Sequence, residues 1–347
     1  MKKIVFCGGG TAGHVMPNLA LIDELKGKYE IYYLGSLNGI EKSLLSNYPF
    51  VKYYAIETTK LKRKLCFDNF LIPFKLIKGI NQAKRILKKI KPDIIFSKGG
   101  FVSVPTCLAG KSLKIPIICH ESDLSIGLAN KIISRTALFT CCSFKKTSRE
   151  IKNGVFTGTP IRKQLLTGDR EKIINKYNLN RNKPTLLVVG GSLGAKALNN
   201  IVYECAKDLT KKYNIIHIVG KGNKCNLQFN NYYQFEFVDN IGDFYAASDI
   251  ILSRAGSNAI NEMLTLCKPM LLIPLPKTES RGDQIENAKY FKNQGFCEVL
   301  YQEDLNCKLF LSEINKLYKN RDLYIKKMQN IETKNATKII CDLIKNV

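Results

Sequence analysis

Twice in this chain a short apolar run breaks into clustered glycines and then into a helical pattern. Ile4-Val5-Phe6 leads into GGGTAGHVMP at residues 8–17, and residues 186–189 lead into GGSLGA at residues 190–195. A buried strand that ends in glycines before a helix exposes backbone N–H groups where the helix dipole is positive, which is a place to hold an anion. After the first loop, Leu19, Ala20, Ile22 and Leu25 form a helical stripe, and a second apolar run follows at residues 31–34. This is a β-α-β opening with a right-handed crossover, so each half of the chain is expected to be an α/β unit built on a parallel sheet.

His14 follows the last glycine of the first loop, and its imidazole is expected at the mouth of the same cleft, where it can take a proton near neutral pH. From position alone, a hydrogen-bonding role at the start of the helix fits as well. By letters, Gly8-x-Gly10-x-x-Gly13 also matches the dinucleotide fingerprint, but a lone match of that kind is weak. That reading needs an acid at the end of the second strand to bind ribose. The run at 31–34 ends instead in Gly35, Ser36 and Leu37, so NAD is the runner-up and no cofactor is expected.

At 347 residues the chain suits two domains. No segment approaches the roughly 18 apolar residues of a membrane span. The start, Met1-Lys2-Lys3 and a very short apolar run, lacks the apolar core of a signal peptide, which points to the cytoplasm. Twelve cysteines without a CxxC pair are expected to be reduced and mostly buried. His14, His120 and His217 are scattered and no Asp-x-Asp pair occurs, so no metal site is expected, either structural or bridging a diphosphate.

The net charge of +25 fits nucleic acid, an anionic membrane surface or an anionic substrate, and its distribution decides among them. Between residues 60 and 91 the only acid is Asp68 among eleven basic residues, and Leu65, Phe67, Phe70, Leu71, Ile72, Phe74, Leu76 and Ile77 are interleaved with the first of them. Basic residues among aromatics and aliphatics suit an anionic bilayer surface, at about 1 kcal/mol per Lys or Arg. Membrane contact is therefore expected at Leu65, Phe67, Phe70, Leu71, Phe74, Lys75 and Lys78. Ile80, Ala83, Leu87 and Ile90, by contrast, have the spacing of an ordinary core face. No recognition motif accompanies the charge, so nucleic acid is not an expected partner.

Further strands are expected at residues 94–96, 115–119 and 138–142. The loops after the first two, SKGGFVS at 97–103 and His120-Glu121-Ser122-Asp123, join the first glycine loop in lining one cleft, since ligands of open α/β sheets bind outside the carboxyl ends of the strands. Residues 155–162, VFTGTPIR, read as a linker. The second sheet is expected from runs at 186–189, 215–219, 235–238, 250–252, 270–273 and 298–300. In the RAGSNAINE segment, small residues start a helix that can meet a diphosphate, while Glu262 can accept hydrogen bonds from ribose hydroxyls. The resulting domains are residues 1–160, residues 161–332, and a terminal helix at 333–347, amphipathic through Ala336, Ile339, Ile340 and Leu343, that packs back on the first.

The motifs GGGTAGHVMP, KGGFVSVP, HESDLSIGLANK, GTPIR, VVGGSLGAKALN, RAGSNAINE and GDQIENA, in this order over nearly the whole chain, resemble those of the MurG family of bacterial glycosyltransferases. The resemblance implies a GT-B fold, in which two doubly wound parallel-sheet (Rossmann-like) domains face a cleft. It also implies inverting transfer of N-acetylglucosamine from UDP-N-acetylglucosamine to the 4-hydroxyl of an undecaprenyl-diphosphate-linked muramyl-pentapeptide, in peptidoglycan synthesis. His14 would then be the base, and Thr11, Ala12 and Gly13 would lie against the donor and the lipid diphosphate. Arg162 and Ser192 would contact the UDP moiety, with Val238 near the uracil. Ser257, Asn258, Ala259, Ile260, Asn261 and Glu262 would hold diphosphate and ribose, and Gln284 the sugar hydroxyls. Many relatives have Glu-Gln-Asn where this chain has Glu121-Ser122-Asp123, so Asp123 takes an Asn position at the sugar, and Ala12 replaces a loop glycine. Because the acceptor's prenyl tail stays in the bilayer, the enzyme would work peripherally at the cytoplasmic face of the membrane. Another UDP-sugar enzyme of this fold, such as a 2-epimerase or a diacylglycerol glucosyltransferase, would share the second half and differ in the N-terminal loops.

Overall fold

A computed structural model of the protein describes residues 1–59, 71–191, 195–331 and 335–347. Its first elements are β1 (Lys2–Cys7), α1 (Met16–Leu25), β2 (Tyr29–Ser36), α2 (Ile40–Leu45), β3 (Lys52–Ile56), α3 (Ile72–Ile90), β4 (Ile94–Ser97), α4 (Ser103–Ser112), β5 (Ile117–Glu121), α5 (Leu128–Ile133), β6 (Phe139–Cys142), α6 (Lys145–Glu150) and β7 (Gly154–Phe156). There follow α7 (Lys163–Leu166), α8 (Arg170–Tyr177), β8 (Thr185–Val189), α9 (Lys196–Lys212), β9 (Asn214–Ile218), β10 (Tyr232–Phe235), α10 (Ile241–Ala247), β11 (Ile250–Ser253), α11 (Ser257–Thr265), β12 (Met270–Leu272), α12 (Asp283–Asn293), β13 (Cys297–Val299), α13 (Cys307–Lys319), α14 (Arg321–Gln329) and α15 (Ala336–Lys345). The chain divides into two compact units, Met1–Arg162 with Asn335–Val347, and Lys163–Lys334.

In the first unit the strand order is β3-β2-β1-β4-β5-β6-β7, with every pairing parallel. Alternation along β1 sends Ile4 and Phe6 to one face, against Leu21, Ile22 and Leu25 of α1, and Val5 and Cys7 to the other, against Ala83, Leu87 and Ile90 of α3 and Cys107 and Ala109 of α4. Ile340, Cys341 and Ile344 of α15 join the α1 face and are buried. Each buried aliphatic there stabilises by about 1.5–3 kcal/mol, enough to hold the terminal segment in place. Thr337 adds a hydroxyl that accepts the Ile161 N–H at 3.2 Å.

The strand order reverses between β1 and β4, so the loops after these two strands flank the crevice where ligands of such sheets bind. The second unit repeats the plan, all parallel in the order β10-β9-β8-β11-β12-β13, with its reversal between β8 and β11. Leu186 and Val188 pack there against Leu198, Val202 and Leu209 of α9 and Phe310, Ile314 and Leu317 of α13.

Three expectations are corrected. Cys205 of α9 and Cys307 of α13 form a disulfide with Cα atoms 5.8 Å apart, so the cysteines are not all reduced; the two helices pack side by side on one face of the sheet and bring them within bonding range. The strand expected at 235–238 is Tyr232–Phe235, because Asn231, at φ +68, turns the chain into it, and Asn240 must leave extended structure to cap α10 at the Gly242 N–H. Val238 therefore sits in the intervening loop. Finally, β5 extends through Glu121, so His120 and Glu121 are strand residues, paired with Cys141 and Cys142 of β6, rather than loop residues.

Candidate active site

In the first unit the chain leaves β1 through Gly8 and Gly10 and turns through a 3-10 segment, Ala12–His14, before α1 begins. Thr11 caps that turn, and its hydroxyl lies 2.9 Å from Nδ1 of His14. The loop after β4 passes directly over the ring. Gly100 holds φ +78, and a Cβ there would sit 3.3 Å from the imidazole and 3.0 Å from the Gly9 carbonyl oxygen, so only glycine allows this approach. Thr11, Ala12, Gly13 and His14 are thus gathered at the crevice of the first sheet.

The support beneath this loop is Glu41, which sequence reading missed. Its buried carboxylate accepts the Ser36 N–H at 2.8 Å, the Ser36 hydroxyl, and the Gly10 N–H at 3.2 Å. It lies just past the end of β2, where a dinucleotide-binding sheet keeps its ribose acid, but these loop donors occupy both oxygens. The available signal was an acid in the first turn of a helix after an apolar run.

His120 is buried, and its Nε2–H donates to the Gly158 carbonyl at 2.9 Å, while Nδ1 has no partner among the described residues. Burial first, and the nearby Lys98 second, push its pKa well below the usual histidine range, so it is neutral. Glu121 accepts from the N–H groups of Asp123 (3.0 Å) and Gly127 (2.9 Å) and from the Asn130 amide (3.0 Å). These bonds fold the chain after β5 into a tight loop that carries Asp123, which is half-buried. Arg162 ends the first stretch of the first unit, and its Nε has no partner among the described residues.

In the second unit a cavity of about 630 Å³ opens at the β8/β11 reversal, lined by Gly190, Gly191, Lys196, Tyr245, Arg254, Gly256, Ala259, Glu279, Gln284 and Gln302 among others. Gly256 caps α11, so the first N–H groups of a nine-residue helix face this space. Arg254 is buried. It donates to the carbonyls of Ile273 (3.1 Å) and Pro274 (3.4 Å) and to Gln302 (2.8 Å), whose amide donates in turn to Glu279, and among the described residues its Nε has no partner. The site therefore keeps a fixed cation beside a helix N-terminus, an arrangement suited to a diphosphate.

Of the residues expected in this half, Ala259 and Gln284 line the cavity. Gln284 accepts the Leu275 N–H at 3.0 Å, and Glu262, one turn along α11, accepts the Tyr245 hydroxyl at 3.4 Å. Ser257 and Asn258 form the first turn of α11; Asn261 turns back to the Ser257 carbonyl at 2.8 Å, and the Ile260 side chain is buried in the core. Val238 is not among the lining residues, and Ser192 lies outside the described residues. Tyr245, Glu279 and Gln302 were missed, because they reach the cavity from three separate elements with no motif in common.

Leu65, Phe67 and Phe70 also lie outside the described residues. Leu71, Phe74 (72% exposed) and Ile77 stand out from the start of α3 beside exposed Lys75 and Lys78, while Ala83, Leu87 and Ile90, further along, enter the core. The outward and the inward reading of this stretch therefore apply to successive turns of one helix. Among the described residues no helix is long and apolar enough to cross a membrane.

Residues 4–140 match the glycosyltransferase family 28 N-terminal domain, and residues 185–343 match the family's C-terminal domain. A Clostridium tetani protein named UDP-N-acetylglucosamine–N-acetylmuramyl-(pentapeptide) pyrophosphoryl-undecaprenol N-acetylglucosamine transferase is 50% identical, covering 99% of this chain and 97% of its own. The protein of the same name from Lachnospira eligens is 47% identical, covering 100% and 99%. The crystal structure of Acinetobacter baumannii MurG superposes with a TM-score of 0.75 at 26% identity, over the full length of both chains. A UDP-N-acetylglucosamine 2-epimerase from Neisseria meningitidis, at TM-score 0.67 and 16% identity over the full length of both chains, shares the fold.

Proposed function

The chain belongs to glycosyltransferase family 28, and from that premise we propose that it transfers N-acetylglucosamine from UDP-N-acetylglucosamine to the muramyl sugar of a pentapeptide carried on pyrophosphoryl-undecaprenol. The observation that carries this reading is the 50% identity, over 99% of the chain, to a transferase named for that reaction. The epimerase likeness, at 16% identity, speaks for the fold alone.

In the reaction the acceptor's 4-hydroxyl oxygen bonds to the anomeric carbon of the donor sugar with inversion, UDP departs with the electrons of the broken bond, and the hydroxyl proton needs a base. His14 takes that role in our reading, supported by the Thr11 hydroxyl on Nδ1 and the glycine turn after β4 against its ring. The second unit holds the donor: the start of α11 and Arg254 stabilise the leaving diphosphate, Glu262 binds ribose and Gln284 the sugar. In this reading the exposed apolar and basic start of α3 docks the first unit on an anionic bilayer, and the enzyme works peripherally at the cytoplasmic face of the membrane; the exposure of Leu71, Phe74 and Ile77 beside Lys75 and Lys78 supports the docking.

The test is UDP release from UDP-N-acetylglucosamine, with and without a water-soluble diphosphate-linked muramyl-pentapeptide analogue, in EDTA. Release that depends on the acceptor supports the reading. Release without acceptor, or epimerised donor alone, sinks it.

A further inference from the structure

Arg254 lines the donor cavity from the end of β11 and is only 8% exposed. Its side chain crosses the carboxyl ends of the next two strands of the sheet, reaching the Ile273 and Pro274 carbonyls after β12 and the Gln302 side-chain carbonyl after β13. A guanidinium stays protonated, so this is a buried charge, and every acceptor it uses is neutral. Such a charge is costly unless an anion comes to it, and the start of α11 offers the same anion its N–H groups. The next group along the network is the carboxylate of Glu279, which also lines the cavity and accepts the Gln302 amide at 3.3 Å. It is exposed, and its own N–H and that of Ser280 close a turn on the Pro276 carbonyl, at 3.0 Å each. Gln302 therefore stands between the cation and the acid, bonded to both. It opens a 3-10 turn, Gln302–Asp304, whose other two residues, Glu303 and Asp304, are acidic and exposed; the neutral member of the turn is the one on the guanidinium. A glutamate at 302 would fit the same space and pair with Arg254 directly.

We propose that Gln302 is a positioning residue for the donor's diphosphate: as a neutral link it holds the Arg254 guanidinium across the strand ends and keeps the Glu279 carboxylate one side chain away from it, so that the charge of Arg254 is left for the ligand. This inference rests on the transferase reading above for the identity of the anion; the link between Arg254, Gln302 and Glu279 does not.

The experiment compares UDP with uridine, which lacks the diphosphate, by titration calorimetry and displacement. The proteins are the parent, Gln302→Met, Gln302→Glu, and the exchanged pair Gln302→Glu with Glu279→Gln. Gln302→Met is expected to raise the Kd of UDP about fivefold, the loss of one hydrogen bond that holds the cation. Gln302→Glu should raise it about tenfold, because a carboxylate then takes up the guanidinium. The exchanged pair has the parent's net charge, and its amide and carboxylate have traded places. It should stay about tenfold weaker than the parent, since what matters is which of the two groups stands on Arg254. Uridine should bind all four proteins alike. Equal losses for UDP and uridine mark a merely structural glutamine and overturn the proposal, as does parent-like UDP binding by Gln302→Glu or by the exchanged pair. Should Gln302→Met not fold, the isosteric Gln302→Glu and the exchanged pair decide the matter. A parent protein that binds UDP but shows no acceptor-dependent UDP release fails the transferase reading alone, and one that binds no UDP overturns both.

Discussion

Nδ1 of His14 and the hydroxyl of Thr11 lie 2.9 Å apart across the single 3-10 turn that follows the first glycine loop. The contact holds the ring, and a base that collects the acceptor's proton on Nε2 keeps its Nδ1 hydrogen directed at the Thr11 oxygen. His14→Ala is therefore expected to lower kcat by about 10²–10⁴-fold with the UDP-N-acetylglucosamine KM unchanged. Thr11→Val, which removes one net hydrogen bond, should lower it about five- to tenfold. Steady-state kinetics of the two variants check this, and full turnover by His14→Ala refutes the base.

Glu41 holds the glycine loop from below, and a Cβ at Gly9 would collide with its carboxyl group at 2.5 Å. In Glu41→Gln an amide N–H₂ must face donors that need an acceptor. The variant should lose about 2 kcal/mol of stability. That loss lowers Tm by roughly 4–8 °C in a unit of this size. Calorimetry reads the loss.

His217 is buried between the Tyr232 hydroxyl (2.9 Å) and the Asn199 side-chain carbonyl (3.1 Å), and burial pushes its pKa from 6.5 down to about 3. The folded value lies below the unfolded one, so below pH 6.5 the unfolded chain binds the extra proton. The stability contribution is complete above pH 6.5 and is lost as the pH falls toward 3, at about 1.4 kcal/mol per pH unit. Urea unfolding of His217→Gln beside the parent, at several pH values in this window, should show the variant's slope to be shallower by that amount.

At the start of α3, Lys75→Gln should weaken partition onto anionic vesicles about fivefold, the equivalent of about 1 kcal/mol, and raised salt should weaken it further. Phe74→Ser with Ile77→Ser should weaken it more, while activity on a water-soluble acceptor persists. Sedimentation with vesicles distinguishes the variants, and undiminished pelleting of the double serine variant excludes this face as the docking surface.

The two glycine loops and the sheets they end were legible because their signal is local: an apolar run, glycines, then a helical stripe. The helix bearing Glu262 was legible for the same reason. Glu41 and Gln302 were not, since each matters through a partner that only the folded sheet brings near, Gly10 in one case and Arg254 in the other. Edge strands β3 and β7 escaped notice because both are short and partly exposed, so neither stands out as a buried run. His120 was misplaced into a loop because a polar residue inside a buried strand looks like the strand's end until its hydrogen bond to Gly158 is seen.

The core of the first unit includes Ile340, Cys341 and Ile344, which the ribosome makes after every residue of the second. The later-coded half thus has all its residues before the earlier-coded half has its own, and the α1 face of the first sheet waits uncovered while the intervening chain is synthesised. A nascent chain stalled short of α15 would carry a finished second unit on an unfinished first one. A protease inspecting such a product would detect the missing end in the half that was translated first.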